Sequence, residues 1–280
     1  MKQTKARDQE KPDAFKHKKS LGQNFLTSDV VPNWLCDSAD LKRGETVLEI
    51  GPGTGRLTKV LLERGVRVIA VEADARAVAS LKKTFDQALA KGSLTIHHGD
   101  SREITPETLG LRDKEFKVVA NIPYYLSGIL LRSLLESAIQ PTTLVFLMQK
   151  ELVHRITRDK KGSLLALGVR VFGEVSYVKT VTRGHFVPMP KVDSAILAVT
   201  NINRDNFIDL DPEFFFTILH LGLGKKRKQL LSNLTESWHR EDLENIFTNL
   251  DLPLTVRGED LPLETWLSLA NQLKALPLED

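Results

Sequence analysis

The chain changes its hydrophobic rhythm once. From Thr46 to Asn201, short apolar runs rich in β-branched residues alternate with stretches of helical period; beyond Phe214 only the helical period remains. Thr46–Ile50, Val66–Val71, Leu94–His97, Lys117–Ala120, Thr143–Met148, Glu174–Val181 and Ser194–Asn201 read as strands. Helices are predicted from Ser28 or Asp29 to Ala39, over Leu57–Arg64 with Gly65 as its stop, from the cap Asp74 to Ala90, and over Ser127–Ala138 and Ser163–Phe172. Strands alternating with helices predict an α/β fold whose mostly parallel sheet is covered on both faces. Phe214–Gly222, Arg227–Leu234, Asp242–Asn249 and Leu263–Leu273 then form an all-helical tail. The expected organisation is a mobile arm over 1–19, a catalytic domain over 20–204 and a helical domain over 205–280.

Composition narrows the class. At 41% hydrophobic and 27% charged residues the chain is that of an ordinary globular protein. No run approaches the ~20 apolar residues of a membrane span. The basic start is followed by no apolar run, and Asp8, Glu10 and Asp13 interrupt it, so neither a secretory signal nor a transit peptide is expected. Cys36 is the single cysteine, which excludes an intrachain disulfide and points to a reducing, cytoplasmic setting.

The net charge of +3 hides an uneven distribution. The first 22 residues carry seven basic and three acidic side chains, Lys150–Asp193 nine and four, and Lys225-Lys226-Arg227-Lys228 is undiluted. From His239 onward three basic residues face nine acidic ones. Basic zones of this kind are a nucleic-acid footprint, although a solvated lysine-rich surface has the same composition. The Lys225–Lys228 run is expected at the start of a helix, where cations oppose the macrodipole and a polyanion would account for them.

The chemistry-bearing residues fall at strand ends. Glu49-Ile50-Gly51-Pro52-Gly53-Thr54-Gly55 joins a strand to a helix, where glycines allow a ligand close to the backbone and free N–H groups face it. Glu72 follows 21 residues after Gly51, placed to accept from both hydroxyls of a ribose. The G-x-G-x-G spacing with a preceding glutamate suits S-adenosylmethionine better than NAD. Asp100 is either an acceptor for an adenine amine or a turn residue. Asn121-Ile122-Pro123-Tyr124 follows the fourth strand. An aromatic amine is a poor nucleophile because its lone pair is delocalised. Accepting both of its N–H bonds, from the Asn121 side-chain oxygen and the Ile122 carbonyl, returns density to the nitrogen. Pro123 stiffens that turn and Tyr124 can stack on the base.

These pieces, with Lys18–Leu26 (KKSLGQNFL), Val71–Asp74, Met148–Glu151, Val187–Ala195 (VPMPKVDSA), Lys225–Leu234 and Arg257–Leu261 (RGEDL), closely resemble the KsgA (RsmA) family. Its members are the small-subunit ribosomal RNA adenine N6,N6-dimethyltransferases. The resemblance implies a class I, Rossmann-like methyltransferase domain with a seven-stranded sheet, a helical domain that docks rRNA, and S-adenosylmethionine converted to S-adenosylhomocysteine. It implies a substrate of small-subunit rRNA in an immature subunit, methylated on two adjacent adenosines of the 3′-terminal hairpin, and a monomeric enzyme. Carried over by motif, Asn24, Leu26, Gly51, Gly53, Glu72, Asp100 and Asn121 would bind the cofactor. Asn121, Ile122, Pro123 and Tyr124 would form the catalytic loop. Lys18, Lys19, Lys191, Lys225, Lys226, Arg227 and Lys228 would contact RNA. Gly258 departs from the commoner RAE-x-L pattern, and His17 and His185 read as surface or loop residues with no metal implied.

Three other readings compete. A large-subunit rRNA adenine methyltransferase of the macrolide-resistance type shares both loops, but VPMPKVDSA and KKRKQLLSNL favour the small subunit. A non-catalytic assembly factor is opposed by the intact Glu72, Asp100 and Asn121–Tyr124. An N-P-P-Y/F enzyme acting on protein glutamine or DNA is weakened by Ile122 in place of the first proline.

Overall fold

The computed structural model describes residues 24–159, 161–225 and 227–276. In chain order these form β1 (Phe25–Leu26), α1 (Val30–Ser38), β2 (Thr46–Ile50), α2 (Arg56–Glu63), β3 (Arg67–Glu72), α3 (Ala75–Thr84), α4 (Asp86–Ala90), β4 (Leu94–His98) and β5 (Phe116–Asn121). Next come α5 (Ser127–Glu136), β6 (Thr143–Gln149), α6 (Lys150–Thr157), α7 (Leu164–Arg170), β7 (Glu174–Val181), β8 (Phe186–Val187) and β9 (Ser194–Thr200). The helical tail is α8 (Pro212–Gly224), α9 (Leu230–Leu234), α10 (Arg240–Asn249) and α11 (Leu263–Leu273).

Seven strands make one sheet in the order β4-β3-β2-β5-β6-β9-β7, and all run parallel except β9, which is antiparallel to both neighbours. Every residue of β2 is buried because helices cover both faces. Val47 packs with Leu35 and Leu61 under α1 and α2; Leu48 and Ile50 pack with Leu130 and Leu134 of α5 on the other face.

The second cluster does not stop at the sheet. It runs on through Phe215, Leu219, Leu230, Trp238 and Trp266 into the helical tail. The connection between the two parts is tied down. Lys114 Nζ donates to the Ile202 carbonyl at 2.7 Å, Asn206 Nδ2 to that of Val171 at 2.7 Å, and Arg204 Nη2 to those of Glu136 (2.9 Å) and Ser137 at the end of α5. Gly258 explains its own departure from alanine. A Cβ there would stand 2.8 Å from the Gly222 carbonyl oxygen and 3.1 Å from the Trp266 ring, so the residue lets its segment close onto α8.

Four expectations change. The long helix after Asp74 breaks at Phe85, whose ring turns inward over Gly55; a Cβ on Gly55 would meet it at 2.6 Å. Asp74 does cap α3, accepting from Arg76 N at 3.0 Å. Asp29 precedes α1 but bonds instead to Lys59 (2.8 Å) and Arg56 (3.2 Å) of α2, and the Lys59 hydrogen bond foremost holds its carboxyl below the usual range. α6 was not anticipated, since β6 runs straight into it without a turn residue. The two-residue strands β1 and β8, paired antiparallel as Phe25 with Val187 and Leu26 with Phe186, carry no periodicity to detect.

The basic run is also not the start of a helix. Lys225 ends α8, and α9 begins at Leu230 behind Gln229. No apolar residue in 225–229 could anchor a helical turn. Lys225 therefore sits at a helix C-terminus, which the macrodipole favours, and it pairs with Glu236. The helix dipole therefore favours this cation and gives no cause for a polyanion there. Lys226, Lys18 and Lys19 lie outside the described residues.

Candidate active site at the carboxyl edge

The parallel strands β2 and β3 lie on one side of the point where the order reverses, and β5 and β6 on the other. Ligands of open α/β sheets bind outside the carboxyl ends of the strands at such a point. Here the ends of β2, β3, β4 and β5 surround a cavity of about 360 Å³. Its wall brings together Asn24, Gly51, Gly53, Glu72, Asp100 and the loop Asn121–Tyr124. Leu26 is not on that wall. It is buried in the core under α1, and its neighbour Phe25 lines the cavity instead.

The glycine loop turns through left-handed backbone at Gly51 and Gly53, with φ of 68° and 55°. A Cβ on Gly53 would stand 2.7 Å from the Phe25 ring, whereas one on Gly51 would meet nothing within 4 Å. Gly51 thus leaves the cavity wall bare at backbone level. Phe25 was missed from the sequence because its contact with Gly53 is made across the fold by a segment without periodicity.

Glu72 is 3% exposed and its carboxylate is aimed by the backbone: Oε2 accepts from Gly53 N and Oε1 from Asp74 N, each at 2.9 Å. Each oxygen retains a lone pair for a further donor. Asp100 Oδ1 accepts from Arg102 N at 2.9 Å, and the guanidinium holds both oxygens, with Nη2 at 2.6 Å from Oδ2. That side-chain bond holds the Asp100 carboxyl below the usual carboxylate range. The turn role and the acceptor role expected of Asp100 are compatible, since the turn is present and the residue also lines the cavity.

Asn121 ends β5. Its Nδ2 donates to the Asn24 carbonyl at 3.2 Å, which fixes the amide plane, while Oδ1 makes no hydrogen bond among the described residues. Ile122 buries its side chain, at 2% exposure, and so acts on the cavity only through its backbone. Pro123 holds φ −56° and ψ 134° at the entry to the short turn Tyr124–Leu126. The Tyr124 hydroxyl shares a 2.8 Å hydrogen bond with that of Ser194 at the start of β9, and burial pushes its phenol pKa up. The motif VPMPKVDSA thereby supplies the fixed point that orients the Tyr124 ring.

Glu49 lies beneath the loop, wholly buried. Oε2 accepts from Thr58 Oγ1 at 2.7 Å and Oε1 has no partner. Burial, with Glu72 adding to it, pushes its pKa from 4.5 up to about 8, so the native group is neutral at pH 7. The native state then holds a proton that the unfolded chain releases, and stability falls as pH rises from about 4.5 to about 8. Glu49→Gln is expected to remove this dependence. The thermal midpoint of the wild type should drop relative to the variant between about pH 5 and pH 8; a constant difference would mean that Glu49 is ionised throughout.

The residues present fit S-adenosylmethionine. A bare backbone wall at Gly51, a buried carboxylate at Glu72 with lone pairs to spare, and an Asn121 amide whose oxygen has no partner among the described residues line one volume.

Known proteins agree with this architecture. The solved dimethyladenosine transferase from Plasmodium falciparum superposes with TM-score 0.76 at 24% identity, covering 89% of this chain and 97% of that one. The 23S rRNA methyltransferase ErmE gives TM-score 0.70 at 24% identity, covering 90% and 100%. At these identities the two establish the fold. In sequence, the ribosomal RNA small subunit methyltransferase A of Dehalococcoides mccartyi strain CBDB1 is 35% identical over 269 residues, spanning 94% of this chain and 90% of its own. That of Bacillus cereus strain AH187 is 34% identical over 273 residues, 92% of each. The family model for ribosomal RNA adenine dimethylase matches residues 14–275. The chain belongs to that family and is an S-adenosylmethionine-dependent rRNA adenine dimethyltransferase.

Proposed function

We propose that the enzyme dimethylates N6 of two adjacent adenosines in the 3′-terminal hairpin of small-subunit rRNA, within an immature subunit, and that it works as a cytoplasmic monomer. The observation that carries the chemistry is the Asn121 amide, which lines the cavity, is pinned through Nδ2 to the Asn24 carbonyl, and among the described residues has no partner on Oδ1. The small-subunit choice rests on the curated relatives, which are named small-subunit enzymes.

When bound, S-adenosylmethionine would supply an electrophilic methyl carbon to the attacking adenosine nitrogen, the methyl–sulfur bond breaking with S-adenosylhomocysteine as the leaving group. Glu72 holds the ribose hydroxyls, Asp100 accepts from the adenine amine, and Asn24, Gly51 and Gly53 complete the cofactor wall. Asn121 Oδ1 and the Ile122 carbonyl accept the two N6–H bonds of the target, raising electron density on the nitrogen. Tyr124, held by Ser194, stacks on the base. The nitrogen becomes acidic once methylated, so no dedicated strong base is called for, and catalysis is positioning plus polarisation. In the second transfer one N–H is already gone, so Asn121 and Ile122 can no longer both be satisfied by N–H bonds.

Residues 20–204 act as the catalytic domain, and the helical region from 205 docks rRNA. Lys191 is exposed on the loop before β9; Arg227 and Lys228 are exposed between α8 and α9. Arg155 from the central basic zone and Lys228 from the third line one crevice between sheet and helical parts, which supports a continuous phosphate-facing surface.

Transfer of labelled methyl from S-adenosylmethionine to purified small subunits, large subunits and bare rRNA, followed by mapping, tests the reading. Label is expected in small-subunit adenosines. Label confined to large-subunit RNA would overturn the choice of subunit, and label outside the 3′-terminal hairpin would overturn the choice of target.

A further inference from the structure

The two consecutive tyrosines of Asn121–Tyr125 part company. Tyr124 commits its hydroxyl to the buried Ser194 at the start of β9. Tyr125 lines the same cavity yet is 56% exposed, and among the described residues its ring has no aromatic partner and its hydroxyl no hydrogen bond. One turn further along α5, Ile129 is 51% exposed, and between them a Cβ on Gly128 would meet nothing within 4 Å. Arg102, whose guanidinium binds both Asp100 oxygens, lines the same cavity, is half-exposed and is within electrostatic reach of the Tyr125 phenol. At the mouth an open aromatic face stands near a cation, and the chain continues from it into a bare backbone position and an exposed aliphatic side chain at the start of α5.

We infer that Tyr125 is a stacking platform for the nucleotide adjoining the target adenosine, with Gly128 leaving room for the strand to lie along the start of α5. This rests on the rRNA adenine reading above. Bringing a base into the cavity strips it from its neighbours, and those neighbours lose their stacking partner. An aromatic ring fixed at the rim restores one such partner, and any base serves because every base has a π-face. Arg102 adds a cation toward the same nucleotide. With two adjacent target adenosines, one occupies the cavity while the other rests on Tyr125, and the occupants exchange between rounds. Tyr125 therefore governs RNA binding and the choice between the two positions, and leaves cofactor binding to the wall beneath it.

The test uses the full-length enzyme with Tyr125→Ala, Tyr125→Leu and Tyr125→Phe on small ribosomal subunits lacking the methylations. Tyr125→Ala is expected to raise KM for the subunits about ten-fold or more, to change the division of label between the two adenosines, and to leave the Kd for S-adenosylmethionine unaltered. Tyr125→Phe should behave as wild type, and Tyr125→Leu should resemble Ala because apolar area alone does not stack. An Ala variant with unchanged KM and unchanged label distribution overturns the platform. A weakened cofactor Kd accounting for the whole defect assigns Tyr125 to the cofactor wall instead and overturns it equally. Wild-type enzyme run alongside separates the two levels. If it labels no small-subunit adenosine, the functional reading itself fails, whatever the variants do.

Discussion

Asn121→Ala is expected to slow methyl transfer by about two to three orders of magnitude while S-adenosylmethionine affinity changes only a few-fold. Removing one preorganised polar partner at a reacting centre costs roughly 3–4 kcal/mol in the transition state. The geometry makes the effect specific. The Asn24 carbonyl takes Asn121 Nδ2 at 3.2 Å, which sets the amide plane and leaves Oδ1 with no partner among the described residues. Asn121→Asp separates orientation from acceptance, because it keeps an acceptor but loses the donor that Asn24 requires. Single-turnover rates with saturating cofactor, beside calorimetric cofactor binding, read out the two effects. Near-normal turnover in the Ala variant would remove Asn121 from the centre of the mechanism.

Glu72→Ala is expected to weaken S-adenosylmethionine by at least about 100-fold, since two hydrogen bonds to a charged acceptor contribute roughly 1.5–3 kcal/mol each. The same change strands the N–H groups of Gly53 and Asp74, which Glu72 now accepts. Leaving buried donors unpaired costs about 1–3 kcal/mol apiece, so the Ala variant should also melt earlier. Glu72→Gln keeps one acceptor for the loop and separates folding from binding. It should retain most of the stability and still lose cofactor affinity. Unchanged affinity by calorimetry in a folded variant would show that Glu72 serves the loop alone.

The parts of the fold legible in the sequence were those with a strong local period. The seven strands are placed within a residue or two, and β2 and β7 without any shift, because β-branched runs bounded by glycine or polar residues have few alternatives. What stayed hidden was decided by tertiary packing. Phe85 breaks a helix whose local pattern is unbroken, since its ring is needed over Gly55. β1 and β8 exist because Phe25 and Leu26 meet Val187 and Phe186, residues far away in sequence. The helical pattern of Leu230, Leu231 and Leu234 extends on paper back through the lysines, but nothing apolar there touches the core. Of the site, the strand-end residues Gly51, Glu72, Asp100 and Asn121 were legible as one constellation, because a parallel sheet gathers its carboxyl ends on one edge. The roles of Phe25 and of Ser194 as anchor of Tyr124 were not, for both depend on contacts between distant segments.

On the proposed function, the anchored connection between sheet and helical tail would turn recognition into a measurement. Arg204, Lys114 and Asn206 clamp the linking segment to main-chain carbonyls, and one apolar cluster passes beneath it. The catalytic cavity and the basic segment near Lys228 are then carried on parts joined by one packed apolar cluster. An RNA particle would be accepted when the span from its target adenosine to the phosphates facing Lys228 matches the distance between that cavity and that segment.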